Sequence, residues 1–285
     1  MRWRAAALAA FAAVAVLASG GCSSPASRPP AAAGGPVRYW TRERLLAALP
    51  LRRWVLRARP AAGAAPSAHT ALVALRVGAL FQETASGNHF CTASVVASPG
   101  RDLLITAAHC IDGGKGGGYL GNIVFVPDYR NGDAPFGVWT PLKLFVAPGW
   151  ASLSDPDLDV GFVVLKPDDG RNIQDILGAN KIAFNAGFSH LVQVTGYPDS
   201  VNAPVTCRNH TTQQSASQLR FDCGGFYGGT SGSPWVTDVD PVSRTGTIVG
   251  VIGGYQQGGD TDAVSYSAYL GDDIRALYEQ AAAAG

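Results

Sequence analysis

Charge is scarce in this chain of 285 residues. Asp, Glu, Lys and Arg make up 15%, against a usual share of about 25%, while 47% of the residues are hydrophobic. A solvated, disordered chain needs the opposite balance, so disorder along the whole length is excluded. The formal net charge is only +1, which speaks against a general nucleic-acid binder. No apolar run reaches the ~20 residues that a membrane-spanning helix needs. No Cys-x-x-Cys pair occurs, which argues against a zinc site. The glycine run Gly113 to Gly118 is not followed by Gly-Lys-Ser/Thr and reads as a surface loop rather than a phosphate loop. No collagen-like period or heptad repeat is present, and convincing helical periodicity is confined to Gly271–Ala284. Without intervening helices a βαβ sheet is excluded. No cofactor and no metal are called for.

Glycine, by contrast, is plentiful, with 35 residues. Tight turns between short strands account for it. Runs rich in Val, Ile, Phe and Thr, bounded by Gly, Pro, Asn and Asp, recur at 71–81, 91–97, 102–108, 122–127, 138–147, 160–166, 190–197, 218–223, 233–238, 246–253 and 263–270. This pattern predicts an all-β barrel or sandwich.

The net charge hides an asymmetry. Residues 1–60 hold ten arginines and one acid, Glu43, whereas 61–285 hold twelve basic and twenty acidic residues. Arg2 and Arg4 precede the apolar run Ala5 to Ala18, the pattern of a signal segment spanning 1–22. Ser19-Gly20-Gly21-Cys22 resembles a bacterial lipobox, with Ser19 where Leu is usual. Cys22 is therefore the lipidation candidate, and ordinary cleavage with release is the alternative. Residues 23–69 read as a Pro/Ala-rich linker and a basic segment, with a short helix at 41–49 capped by Thr41. Residues 37–66 are either a pro-segment docked on the acidic body or a solvated basic arm.

Four cysteines remain after Cys22. An even set in an exported chain implies two disulfides with three connectivities, of which proximity in sequence favours Cys91–Cys110 and Cys207–Cys223. His69, His89, His190 and His210 are expected on the surface or in loops.

Three segments carry chemistry. Leu104-Ile105-Thr106-Ala107-Ala108-His109-Cys110 ends a β-rich run in small residues that leave the His109 imidazole room to turn. Asp159 stands directly before the apolar run Val160 to Leu165, at a strand mouth. Gly228-Gly229-Thr230-Ser231-Gly232-Ser233-Pro234 is a turn whose glycines let Ser231 present its hydroxyl, with the N–H groups of Gly229 and Ser231 aimed into one volume.

Together the three segments resemble the chymotrypsin-like (trypsin-like) serine peptidases, in their bacterial secreted branch. The order His, Asp, Ser matches that family and not subtilisin or the α/β-hydrolases. The resemblance implies two packed six-stranded antiparallel β-barrels, about 70–170 and 180–270, with a C-terminal helix at 271–283, all within a domain of 70–285. It implies Ser231 as nucleophile, His109 as general base and Asp159 as the partner of the imidazole. It further implies Gly229 and Ser231 as oxyanion donors, and Cys91–Cys110 as the bridge beside the histidine. A polypeptide is the implied substrate, and the expected form is a secreted monomer that meets a membrane only through a lipid on Cys22. An esterase using the same three residues, or an inactive peptidase-fold binding module, is the alternative.

The departures are specific. Thr230 replaces the acid that pairs with a freed N-terminus in trypsin-like zymogens. Gly225 stands six residues before Ser231, where an Arg/Lys-selective member places Asp. No histidine occurs in 250–255, where glutamate-specific relatives carry one. Gly225, Phe226 and Tyr255 therefore point to a neutral or apolar P1 side chain, and Gly253-Gly254-Tyr255 is the candidate edge for pairing with a substrate strand.

Overall fold

The computed structural model describes residues 35–51 and 65–285. The signal segment with Cys22, the tether up to residue 34 and the arginine-rich stretch 52–64 lie outside the described residues. Among the described residues no helix is long and apolar enough to cross a membrane.

The strands follow in chain order. β1 (Leu49–Pro50) and β2 (His69–Thr70) are short additions. β3 (Val77–Thr84), β4 (Gly87–Val96), β5 (Leu103–Thr106), β6 (Gly121–Pro127), β7 (Pro141–Val146) and β8 (Gly161–Leu165) form the first curled sheet. β9 (Lys181–Ile182) is again short. β10 (Leu191–Gly196), β11 (Val205–Gln213), β12 (Gln218–Asp222), β13 (Pro234–Thr237), β14 (Thr247–Val251) and β15 (Val264–Ala268) form the second. The first sheet runs β6-β3-β4-β5-β8-β7, with β1 parallel on β4, and paired backbone bonds of 2.9 Å between Phe125 and Trp139 draw its two ends together. The second runs β15-β12-β11-β10-β13-β14, with β9 on β14 and β2 on β11. Each is thus a six-stranded antiparallel half-barrel with short extra strands. A helix, α5 (Asp272–Ala282), follows at the C-terminus, with Gly271 at its N-cap.

The unbroken apolar runs of β5 and β8 have a clear cause. Side chains alternate faces along a strand. In β5 Leu104 points into the first barrel, with Val163 and Leu165 of β8, while Leu103, Ile105, Phe162 and Val164 point outward and meet Val236, Ile248 and Val251 of the second sheet. Both faces are buried, so neither strand carries a polar alternation. α5 closes this inter-barrel core with Ile274, Leu277 and Ala281. Each fully buried Leu or Ile there contributes about 1.5–3 kcal/mol. The second barrel fills with Val192, Val194, Leu219, Phe221, Trp235 and Val249.

Sequence and structure differ at several elements. The run expected from residue 71 begins as a strand only at Val77, and Leu72 and Val73 are exposed. β11 was not expected. Only Val205, Cys207 and Thr211 of it are buried, so its composition lacks the apolar signature. Disulfides join Cys91 to Cys110 and Cys207 to Cys223. His89 is buried rather than exposed, its imidazole bonded to the Ser86 hydroxyl at 2.9 Å.

Ahead of the barrels, α1 (Gly35–Tyr39) and α2 (Arg42–Ala47, capped by Thr41) lie as a strap on the first. Trp40 and Leu45 bury against Phe81, Val124, Val126 and Tyr129, and the Trp40 indole N–H donates to the Asn122 carbonyl. Arg42 reaches Asp133 only at an exposed 3.6 Å. The strap is held chiefly by aromatic burial, since exposed ion pairs contribute little.

Asp102, just before β5, is buried, and its Oδ1 has no hydrogen-bond partner among the described residues. Burial holds its carboxyl above the ordinary value of 3.8. A raised value means that the folded state binds the proton more tightly, so stability falls as pH rises through that window. Asp102→Asn is expected to melt at a higher temperature than the parent at neutral pH. The gap should close as pH falls below 3.8, measured by circular dichroism melts across pH.

Candidate active site

The chain leaves β5 through a single 3-10 turn, Ala108–Cys110, that presents His109. The disulfide from Cys110 to Cys91 on β4 pins this turn. Ala107 and Ala108 are fully buried, and Trp150 from α3 (Pro148–Leu153) covers the imidazole with its ring centre 6.4 Å away.

Asp159 follows another 3-10 turn, Pro156–Leu158, and is wholly buried. Its Oδ1 accepts the His109 backbone N–H at 2.9 Å, and its Oδ2 lies 2.8 Å from His109 Nδ1. The Gly254 N–H also donates to Oδ2, at 2.9 Å. Three donors satisfy a carboxylate that would be costly to bury unpaired. The acceptor at Oδ2 fixes the imidazole with its proton on Nδ1, which leaves Nε2 as the free base. That Nε2 is buried and has no partner among the described residues.

Ser231 sits on a turn built from glycines. Gly229 and Gly232 have φ of +94° and +83°, a region that side chains with a Cβ rarely adopt. Gly232 is also a point of close approach between the barrels. A Cβ there would stand 2.1 Å from the Thr92 carbonyl oxygen and 2.3 Å from Thr106 Oγ1. Thr106 hydrogen-bonds the Thr92 carbonyl at 2.7 Å, the Thr92 N–H donates to the Ser231 carbonyl at 2.8 Å, and Thr92 Oγ1 donates to the Gly229 carbonyl at 3.1 Å. The serine turn is thereby docked onto the strand end that carries His109 three residues later. The N–H groups of Thr230, Gly232 and Ser233 are spent on carbonyls, whereas those of Gly229 and Ser231 bond nothing among the described residues. Ser231 Oγ and His109 Nε2 are not hydrogen-bonded to each other.

Beside Ser231 lies a cavity of about 10 Å³, lined by Phe226, Ile252, Gln257, Thr261 and Ser265 among others, with no charged side chain. Gly225 lies elsewhere, on an open cleft of about 620 Å³ that residues 65 and 67–70 also line. Phe226 is buried with its ring against Phe221. Gly253 packs on Asp159, where a Cβ would come within 2.9 Å of the Asp159 carbonyl oxygen. Gly254 is turned to φ +76°, and Tyr255 begins a 3-10 turn to Gly258. The expected edge strand at 253–255 is therefore folded back: the Gly254 N–H is committed to Asp159. Sequence reasoning missed Thr92, Thr106, Gln218, Gln257, Thr261 and Ser265. Thr106 lies in the His109 segment but was given no role there; the others sit in no motif, and only the closure of the barrels brings them to the site. The sulfurs of Cys91 and Cys110, which crowd His109, are used in the disulfide and offer no thiolate to a metal.

No protein-family model and no curated protein matches the chain. Solved structures do. Protease Anisep from Arthrobacter nicotinovorans superposes with a TM-score of 0.68 at 27% identity, over 76% of this chain and 99% of that one. The chain shares the chymotrypsin-like fold, two curled antiparallel sheets and a C-terminal helix, with this protease. The thermostable serine protease AL20 from an extremophilic microorganism gives 0.68 at 28% identity, over 74% and 99% of the two chains. A Glu endopeptidase shares the peptidase fold at 0.60, with 14% identity over 77% and 98%.

The crowding at Gly232 makes a test of the inter-barrel dock. Gly232→Ala combines left-handed strain with a backbone clash and is expected to destabilise the fold by about 3 kcal/mol in a denaturant melt, against about 1 kcal/mol for Gly170→Ala, which carries the same left-handed strain at φ +73° but has open space around it.

Proposed function

We propose that the chain is an exported serine endopeptidase that hydrolyses peptide bonds through an acyl-enzyme. The observation that carries this reading is the buried His109–Asp159 pair, with its uncommitted Nε2, beside a serine turn that keeps two N–H groups unspent. His109 Nε2 takes the Ser231 hydroxyl proton as Oγ attacks the carbonyl carbon of the substrate. Asp159 holds the Nδ1–H and stabilises the imidazolium that forms. The N–H groups of Gly229 and Ser231 receive the oxyanion. Nε2 then gives its proton to the leaving amine, and water, deprotonated in turn by His109, releases the acyl group. Attack brings Ser231 Oγ and Nε2 into hydrogen-bond contact; such bonds tighten in the substrate complex.

The cavity beside Ser231 supports a small, uncharged P1 side chain, because nothing charged lines it. Residues 37–66 fit a pro-segment. The strap ends at Leu51, whose N–H donates to the Phe90 carbonyl at 3.1 Å, and the Phe90 ring abuts Gly229. The disulfides fit export. Cys22 as the lipid attachment point and a monomeric state complete the proposal.

Labelling with a fluorophosphonate probe, read by intact mass, tests the reading. One adduct is expected on the full chain and none on Ser231→Ala; absence of the adduct on folded, processed protein would sink it in favour of a binding module. Asp159→Asn should lower kcat about 10⁴-fold, the loss known for the equivalent change in this triad. Peptides with Ala or Ser at P1 should be cleaved faster than those with Arg or Glu. Turnover of small esters without any peptide cleavage would mark an esterase instead.

A further inference from the structure

Gln218 opens β12 in the second barrel and is 4% exposed, yet its amide makes no bond within its own sheet. Its Nε2 donates to the Pro156 carbonyl at 3.0 Å and to Asp157 Oδ1 at 2.6 Å, both on the first-barrel turn that delivers Asp159. Its Oε1 accepts the Tyr255 N–H at 3.0 Å. Tyr255 adjoins Gly254, whose own N–H ends on Asp159 Oδ2. The partners fix the amide orientation: two acceptors lie on one side and a donor on the other.

The approach is close by design of the backbone. A Cβ on Gly254 would stand 2.3 Å from Gln218 Oε1. The turn beyond it is unfavourable in isolation. Gln256 and Gln257 have φ of 52° and 49° inside Tyr255–Gly258, and left-handed non-glycine residues persist only where their surroundings hold them. A buried position needing bulk alone would take an apolar side chain, since a buried amide is costly unless every polar atom is paired.

We propose that Gln218 is a positioning residue for the reaction: its amide clamps the Asp159 turn of one barrel to the Gly254 turn of the other, and so sets the carboxylate that orients His109. The inference rests on the function proposed above. It requires no contact between Gln218 and substrate. It acts through Asp159, which Gln218 grips from both sides, by the turn that carries the carboxylate and by the turn that donates to it.

Two variants of the full chain test it, each checked for folding by melting temperature and intact disulfides. Gln218→Met keeps the length and bulk and removes all three bonds. Gln218→Glu keeps the acceptor for Tyr255 but loses both donors and sets a carboxylate against Asp157. Both are expected to lower kcat about tenfold to hundredfold while KM changes little, the signature of a misplaced catalytic group rather than of weakened binding. In parallel, the low-field proton resonance of His109 Nδ1–H should move or broaden in both variants. A folded Met variant with parental kcat and an unmoved resonance would overturn the proposal, as would a rise in KM alone. If the Met variant does not fold, the Glu variant carries the test. Should the parent fail to react with the fluorophosphonate probe, the peptidase reading falls, but the resonance comparison still decides whether the amide holds the His–Asp pair.

Discussion

The buried carboxylate of Asp159 is the point at which the two barrels have to agree. It is entirely removed from water, and its hydrogen bonds come from His109 of the first barrel and Gly254 of the second. Such a group is tolerated in an apolar interior only while its donors are in place. The glycines at 253 and 254 follow from it. A side chain on Gly253 would press on Asp159, and one on Gly254 would displace Gln218. The folded-back course of 254–259, in place of an extended edge, is the consequence of spending the Gly254 N–H on that carboxylate.

A second constraint positions the nucleophile candidate. The serine turn approaches Thr92 within β4 and Thr106 at the end of β5 so closely that only glycine fits at position 232. The Thr92 hydroxyl bridges the seam to the Gly229 carbonyl, while the Thr106 hydroxyl ties the Thr92 carbonyl within the first barrel. The inter-barrel core of Ile105, Phe162, Val236 and Ile248, closed by α5, holds the halves in this relation. The site is thus an outcome of packing between two sheets, neither of which contains it alone.

Much of the fold was legible because apolar runs over β-strands are strong signals where one or both faces are buried. β8 is the clearest instance, with all five residues buried. β11 was illegible for the converse reason: most of its length faces solvent, so its composition resembles a loop. The strap was only half legible. Thr41 announced the cap of α2, but the anchoring of the strap's described part through Trp40 and Leu45, whose burial outweighs the exposed pairing of Arg42, was not read from the sequence.

His109, Asp159 and Ser231 were readable from local sequence, since each lies in a short motif whose small neighbours or glycines serve a local backbone need. The sequence by itself determined the strand-rich class, favoured the two disulfide pairings and nominated these three residues, because composition and short motifs carry those signals. Only the tertiary structure decided which N–H groups remain unspent, what lines the cavity beside Ser231, and that Gln218 bridges the turns on either side of Asp159. Gln218 and Asp157 are 61 residues apart in sequence, and their hydrogen bond forms only when the two barrels close on one another.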